Sequence, residues 1–189
     1  GSNGVYVRQD QVSDKEAMLS FTAKVRNTEK KAQKAVISFL IKEQDGKVLK
    51  ETKEEKMILP ETTMPITSTF QIDNPHLWNG KKDPYLYTAE VKVKVGSEIV
   101  DNYTFPLGIR YYSIDPDRGF ILNGHSYPLR GVSLHEERKD KGNAVSDTER
   151  KEDIDRIVAM GSNYIRLSHY QHGDFTYRYL DSLGIICWT

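Results

Sequence analysis

The sequence predicts a mostly β protein with an α/β segment at its C-terminal side, and three observations predict this fold class. The first part of the chain alternates apolar and polar residues with period two, as half-buried strands do. This alternation stops near Gly108. Beyond it, three short apolar runs are separated by two helical patterns, the order of a parallel β-α-β-α-β unit. We therefore expect an immunoglobulin-like β-sandwich in residues 1–110 and an α/β segment in residues 111–189.

The sandwich is predicted from strands of regular length with turns between them. Alternating runs cover residues 19–25, 37–41, 85–95 and 99–107, and Asp45-Gly46 and Gly96-Ser97 are typical hairpin turns. About seven strands in roughly 105 residues, with no helical pattern, are typical of two antiparallel sheets of the immunoglobulin type. Cys187 is the only cysteine, so we interpret it as buried packing and expect no disulfide within the chain.

The α/β segment is predicted from its turn and capping residues. A small hairpin is expected over residues 119–128, and parallel strands over 129–133, 163–168 and 185–188. The first helix opens with Ser146-Asp147-Thr148-Glu149, a capping-box pattern, and ends near Gly161. The second helix is expected from about Asp174 to Leu183, with Gly184 as its C-terminal cap.

Composition excludes some classes of partner. The 27 basic and 27 acidic residues give a formal net charge of zero, which offers no support for a nucleic-acid or anionic-membrane partner. No run of about 18 apolar residues is present, so we expect no membrane span. The sequence also lacks a glycine-rich phosphate loop, and we expect no cofactor.

The candidate site lies where the first two parallel strands end. In open α/β sheets and in barrels, sites are built at the carboxyl ends of the strands. His135 follows the first strand, Arg166 lies in the second, and His169 follows it. We interpret these three residues as a ligand-binding group. The alternatives are structural histidines, and an arginine paired with a structural carboxylate.

The remaining histidines have weaker claims. His169 and His172 have a spacing seen in zinc sites, but no third ligand is evident, and we expect no metal. His125 is expected at the surface, and so is His172, for which the alternative is a place at the mouth of the site, given its loop position. Arg138-Lys139-Asp140-Lys141 is interpreted as a loop of mixed charge, and a phosphate site there is not expected.

Two acidic residues and one tryptophan have competing interpretations. Glu136 and Glu137 are adjacent, so their side chains should point apart and not share acid/base chemistry; a solvated or supporting role is expected. Trp78 is expected to pack at the edge of the sandwich, and the alternative is a platform on which a sugar ring stacks.

Several stretches, in order along nearly the whole chain, resemble family 2 glycoside hydrolases of the β-galactosidase type. They are Asn74–Trp78 with Pro84–Tyr87, Leu107–Arg110, Phe120–Gly124, Leu129–Glu136, Gly161–Tyr170 and Leu183–Trp188. The resemblance implies the middle sandwich of these enzymes followed by a truncated (β/α)8 barrel, of which the first three strands and two helices are present. A complete barrel takes about 250 residues.

The resemblance also implies an activity. Family 2 enzymes are retaining glycosidases with two catalytic glutamates, which come from the fourth and seventh barrel strands and so lie outside this chain. The chain by itself is therefore expected to be inactive. His135 and His169 would line the sugar subsite, and Arg166 would position the nucleophilic glutamate. The parent enzyme would be bacterial, cytoplasmic or periplasmic.

The sequence is compatible with more than one substrate class and with a different function. Ser168-His169-Tyr170 favours terminal β-galactosides, but glucuronidases and mannosidases differ from galactosidases mainly beyond this chain. A non-catalytic interaction or glycan-binding module with a small α/β appendage is the alternative. A flavodoxin-like open sheet is a weaker third possibility, because no phosphate loop is present.

An interrupted barrel should also expose apolar surface. We expect the side chains that face the missing wall to be exposed, so that the C-terminal part is either partly disordered or protected by self-association through its open strand edge and apolar face. The predicted exposed residues are Val132, Ile165, Leu167, Ile186 and Trp188.

Overall fold

The computed structural model describes residues 4–189, which divide into two compact units. The first unit contains the chain up to His76 together with Leu86–Ile109, and the second contains Leu77–Tyr85 and Arg110–Thr189. The domain boundary at residue 110 stays a prediction. The short segment Leu77–Tyr85, which the sequence analysis placed in the first domain, is grouped with the second unit.

The first unit is an immunoglobulin-like β-sandwich, as predicted. One sheet has the strand order β1-β2-β5, and the other has the order β4-β3-β6-β7, with antiparallel neighbours in both. The strands are β1 (Val5–Val12), β2 (Glu16–Arg26), β3 (Gln33–Lys42), β4 (Val48–Ile58), β5 (Thr63–Asp73), β6 (Tyr87–Val95) and β7 (Glu98–Leu107).

Alternating side chains of the two sheets form the core of this unit. The ring of Phe21 on β2 packs edge-on against Phe39 on β3 and Phe70 on β5, with centroid distances of 6.3 and 5.1 Å. All three rings are buried. The charge-dense stretch Lys50–Lys56 of β4 is exposed or half-buried throughout, so it forms a solvated strand face.

The second unit begins with a small antiparallel sheet and continues as a parallel one. Strands β8 (Tyr112–Asp115), β9 (Gly119–Leu122) and β10 (His125–Ser126) form the first, with Asn123 and Gly124 at positive φ in the predicted turn. The parallel sheet has the order β11-β12-β13, and one helix connects each pair of successive strands. Its elements are β11 (Gly131–Leu134), α1 (Asp147–Ala159), β12 (Tyr164–Leu167), α2 (Asp174–Leu183) and β13 (Ile186–Trp188).

The helix ends follow the predicted chemistry. The Ser146 hydroxyl accepts a hydrogen bond from the Glu149 backbone N–H, and the Glu149 carboxylate accepts one from the Ser146 N–H, a complete capping box. Gly184 ends α2 at a φ of 71°. A Cβ at Gly184 would also lie 2.3 Å from the carbonyl carbon of Gly80, so both backbone conformation and close packing require glycine there.

The core of the second unit corrects part of the prediction of exposed apolar residues. Ile165 and Leu167 are 0% and 2% exposed, because they face α1 and α2 and pack with Ile154, Ile157 and Leu180. Successive side chains of a strand point to opposite faces, so Arg166 between them lies on the other face. The prediction that Ile165 and Leu167 face an open wall was therefore wrong.

The other three residues of that prediction differ among themselves. Trp188 is 64% exposed and Val132 is 36% exposed, as expected, whereas Ile186 is half-buried. In the register of the parallel sheet, Arg166 is paired with Trp188 and Val132 with Ile165. Val132 is therefore exposed on the helix-facing side, at the sheet edge, and not on the side that carries Trp188. Within residues 4–189, neither α1 nor α2 has the length and hydropathy of a membrane-spanning segment.

Candidate functional site

The carboxyl ends of β11 and β12 lie side by side and carry the predicted site residues. Leu134, the last residue of β11, is paired with Leu167, the last residue of β12, and the Ser168 N–H donates to the Leu134 carbonyl at 2.9 Å. A Cβ at Gly131 would lie 1.7 Å from the Tyr164 carbonyl oxygen, so the close approach of these strands depends on glycine.

The structure brings His135, Arg166 and His169 together. The imidazole rings of His135 and His169 are 5.3 Å apart between centroids, in an edge-on arrangement. The Arg166 Nη2 lies 3.1 Å from Nδ1 of His169. All three side chains are exposed, so they can contact a ligand in solution. The peptide bond between Ser168 and His169 is cis.

The contact between Arg166 and His169 defines the donors of this group. A guanidinium can only donate, so Nδ1 of His169 must accept and the imidazole proton lies on Nε2. This tautomer presents an N–H donor on the other side of the ring. Imidazole and guanidinium donors within one small surface are suited to binding sugar hydroxyl or carboxylate oxygens.

Behind the exposed histidines lies a buried polar network that the sequence analysis missed. Glu136 Oε1 accepts from Arg150 Nη2 at 2.6 Å, and Oε2 accepts from the Gly173 N–H at 3.2 Å. Burial alone would raise the pKa of Glu136, but the hydrogen bonds from Arg150 and Gly173 and the charge of Arg150 hold it below its usual value. Of the two roles expected for Glu136, solvated or supporting, these contacts favour the supporting one.

His172 belongs to this network, and its predicted surface position was wrong. Its side chain is 1% exposed, with Nδ1 3.4 Å from Glu136 Oε2 and its ring stacked on Tyr170 at 5.2 Å. The imidazole of His172 is buried because it lies against the Glu136 carboxylate. No local pattern signals this, because the partner lies 36 positions earlier in the sequence. His125, in contrast, is exposed on the β9–β10 hairpin, as expected.

The loop of mixed charge is bound to α1. Arg138 Nη2 lies 2.9 Å from Asp153 Oδ1 and 3.2 Å from Glu152 Oε2, and Lys141 Nζ lies 2.6 Å from Glu149 Oε1. The hydrogen bonds from Lys141 and from Ser146 lower the pKa of Glu149 from 4.5 to about 2. Arg138 and Lys141 thus form ion pairs with carboxylates of α1.

Trp78 has a different place from the one predicted. It lies in the second unit, 1% exposed, where its indole N–H donates to the Asp181 carbonyl and Arg110 covers its ring at 4.6 Å. A ring buried in this way cannot stack on a sugar. Both earlier interpretations, the sandwich edge and the sugar platform, are corrected by these contacts.

The second unit also has an apolar groove of about 700 Å³ on the side of the sheet that carries Trp188. Exposed side chains of the β8–β9 hairpin and of β13 border it, among them Tyr112, Ile114 and Trp188. Among residues 4–189, no group of three or more histidine, cysteine, aspartate or glutamate side chains is placed to hold a metal ion.

Comparison with known proteins gives two adjoining family matches. The model described as glycosyl hydrolases family 2 matches residues 3–110, and the model of the TIM barrel domain of the same family matches residues 116–188. Together they cover most of the chain.

Individual relatives agree with these matches. A β-glucuronidase of Bacteroides fragilis is 36% identical over 99% of this chain and 27% of its own length, and a β-galactosidase of Bacteroides ovatus is 29% identical over 98% and 22%. A crystal structure of Bacteroides uniformis β-glucuronidase superimposes with a TM-score of 0.95 at 29% identity, over 100% of this chain and 23% of that one. The chain thus spans about a quarter of the length of these relatives.

Proposed function

We propose a function for this chain, which belongs to family 2 of the glycosyl hydrolases. The chain is part of a retaining β-glycosidase and supplies part of the subsite that binds the terminal sugar. The observation that carries this proposal is the convergence of His135, Arg166 and His169 at the carboxyl ends of β11 and β12.

Each of the three residues has a separate role in this proposal. His169 donates from Nε2 to a sugar hydroxyl, because its Nδ1 faces the Arg166 guanidinium. His135, whose ring edge meets that of His169, binds a neighbouring hydroxyl. Arg166 orients His169 and presents positive charge towards the position of the catalytic nucleophile, which the longer enzyme supplies.

A terminal β-galactoside is the first candidate substrate. The Ser168-His169-Tyr170 stretch favours it, and β-galactosidases are among the relatives of this chain. The hydroxyls of a neutral hexose match the hydrogen-bonding capacity of two imidazoles and one guanidinium.

A terminal β-glucuronide is the second candidate, and two specific observations favour it. The β-glucuronidase of Bacteroides fragilis is 36% identical to this chain. The exposed guanidinium of Arg166 can also pair with the carboxylate of a uronic acid, which a neutral sugar lacks.

A titration of the chain with methyl β-D-galactoside and methyl β-D-glucuronide, followed by NMR of the histidine side chains, tests the proposal. We expect the signals of His135 and His169 to shift with one of the two sugars. His169→Ala should abolish the response, and His125→Ala, which removes an exposed histidine from the β9–β10 hairpin, should preserve it.

The identity of the sugar follows from the salt dependence and from one further variant. Binding of the glucuronide should weaken with added salt and with Arg166→Gln, whereas binding of the galactoside should depend little on salt. Shifts that are equal for both sugars and persist in His169→Ala would contradict the proposed subsite.

A further inference from the structure

We propose that Glu136 is a positioning residue that holds His135 and His169 in their mutual arrangement. This inference rests on the sugar-binding function proposed above, because that function assigns the two histidines their task. Glu136 itself faces away from the exposed group, since its neighbour His135 is exposed whereas the Glu136 side chain is only 11% exposed.

The carboxylate of Glu136 joins three parts of the second unit. It binds Arg150 of α1 through Oε1, and through Oε2 it accepts from the Gly173 N–H, at the N-cap of α2. His172 Nδ1 lies 3.4 Å from the same Oε2. The Glu136 side chain, in the loop after β11, therefore binds both α1 and the loop after β12. Charge-assisted bonds of this kind, within a largely buried group, are the stronger class of hydrogen bond.

Two further hydrogen bonds connect the same two loops, one on each side of the two histidines. The Leu134 carbonyl accepts from the Ser168 N–H at 2.9 Å, and the Glu136 N–H donates to the Tyr170 hydroxyl at 3.0 Å. Leu134 and Glu136 flank His135, and Ser168 and Tyr170 flank His169. The separation of the two imidazoles is therefore set by the way in which these loops are joined.

Tyr170 and His172 connect the carboxylate to this backbone contact. The Tyr170 ring stacks on the His172 ring with an interplanar angle of 22°, and its edge faces His135 at 6.4 Å. Removing the charge of Glu136 would leave the guanidinium of Arg150, itself only 17% exposed, paired with the largely exposed carboxylate of Asp147, and would remove its ion pair to the loop after β11. The loops would then be free to separate, and the two imidazoles would lose their fixed distance.

The test compares Glu136→Gln with Glu137→Gln in the 189-residue chain. Glu137→Gln is the control, because it removes one negative charge from an exposed residue adjacent to Glu136. The first measurement is the nuclear Overhauser effect between the ring protons of His135 and His169. The second is the affinity for whichever methyl glycoside the wild type binds. Amide exchange of β12 and α1 reports whether the fold is intact, so a general loss of structure is recognised.

We expect Glu136→Gln to lose the contact between the two rings and to bind the sugar about tenfold more weakly, with Glu137→Gln unchanged. An intact ring contact and an unchanged affinity in Glu136→Gln would overturn the inference. If Glu136→Gln does not fold, Tyr170→Phe, which deletes only the hydroxyl, should weaken the same ring contact, and an unchanged contact would equally overturn it.

The two proposals can fail separately in this experiment. If the wild type binds neither sugar but Glu136→Gln alone loses the ring contact, the positioning role is supported and the proposed function is not. If the wild type binds a sugar and Glu136→Gln binds it equally well, the proposed function is supported and the positioning role is not.

Discussion

The indole N–H of Trp78 donates a 2.8 Å hydrogen bond to the backbone carbonyl of Asp181, 103 residues later in the chain. Arg110 lies over the indole ring and also contacts the Asp181 carboxylate, at 3.3 Å. Burial raises the pKa of Asp181, and Arg110 opposes that effect. Leu77–Tyr85 is thus anchored within the second unit by contacts to the last turn of α2.

Trp78→Phe should destabilise the second unit by about 1 kcal/mol, the usual net contribution of one hydrogen bond. The variant retains an aromatic ring but removes the N–H that donates to the Asp181 carbonyl, which keeps only the longer 3.3 Å bond from the Gly184 N–H, and it reduces the contact area with Arg110. Hydrogen exchange of the α2 amides measures the loss. Trp188→Phe is the control, because Trp188 is 64% exposed, and we expect little change from it. Equal α2 protection in wild type and Trp78→Phe would contradict the structural role of this bond.

Glu149 should make the stability of α1 depend on acid pH. Its pKa in the folded protein is about 2, below the ordinary 4.5, so its stabilising contribution is complete above about pH 4.5 and is lost as the pH falls towards 2. Hydrogen exchange of α1 from about pH 6 down to about pH 2 measures this, after correction for the intrinsic exchange rate. In Glu149→Gln that part of the pH dependence should be absent, whereas Glu137→Gln should retain it.

The chain by itself should not hydrolyse an aryl β-galactoside or an aryl β-glucuronide. Retaining hydrolysis needs a protonated acid and a separate nucleophile, and the hydrogen bonds of Glu136 keep its pKa low and occupy both of its oxygens. A chromogenic assay checks this. Turnover that survives repurification and disappears in His169→Ala would show that the prediction is wrong.

Residues 4–110 should form a fragment that resists proteolysis. Strands β1 to β7 pair with one another and bury their own aromatic core, so these seven strands should persist when the second unit is removed, although Leu77–Tyr85 then loses its contacts with α2. Limited proteolysis with mass spectrometry should give a stable product that ends near Leu107–Arg110. Early cleavage inside β6, before the second unit is lost, would contradict this proposed boundary.

The apolar groove beside β13 should promote self-association of the chain. Trp188, Ile114 and Tyr112 are exposed there, and each large apolar side chain left in water forfeits about 1.5–3 kcal/mol of burial. Size exclusion with light scattering should show a dimer or larger species that Trp188→Lys shifts towards monomer. Met160→Lys, at an exposed methionine after α1, is the control and should have no such effect. A monomer for the wild type would contradict the prediction.

Much of the fold could be predicted because its signals are local. Period-two alternation predicted β2, β3, β6 and β7, the Ser146–Glu149 capping box predicted the start of α1, and Gly184 predicted the end of α2. Parallel strands place their carboxyl ends at one edge, so His135 and His169 were expected near each other. Their roles in binding stay predictions.

Local sequence accounts for most strands and helices and for the residues that follow each parallel strand, because these properties depend on neighbours within a few positions. Long-range packing sets the face on which Ile165 lies, the burial of Trp78 against Asp181 and the inward position of His172 beside Glu136. Each of these depends on a partner far away in the chain, through burial and hydrogen bonding that no local pattern encodes. The contacts of Ile165, Trp78 and His172 form only when the chain folds, so their positions follow from the packing of the whole unit.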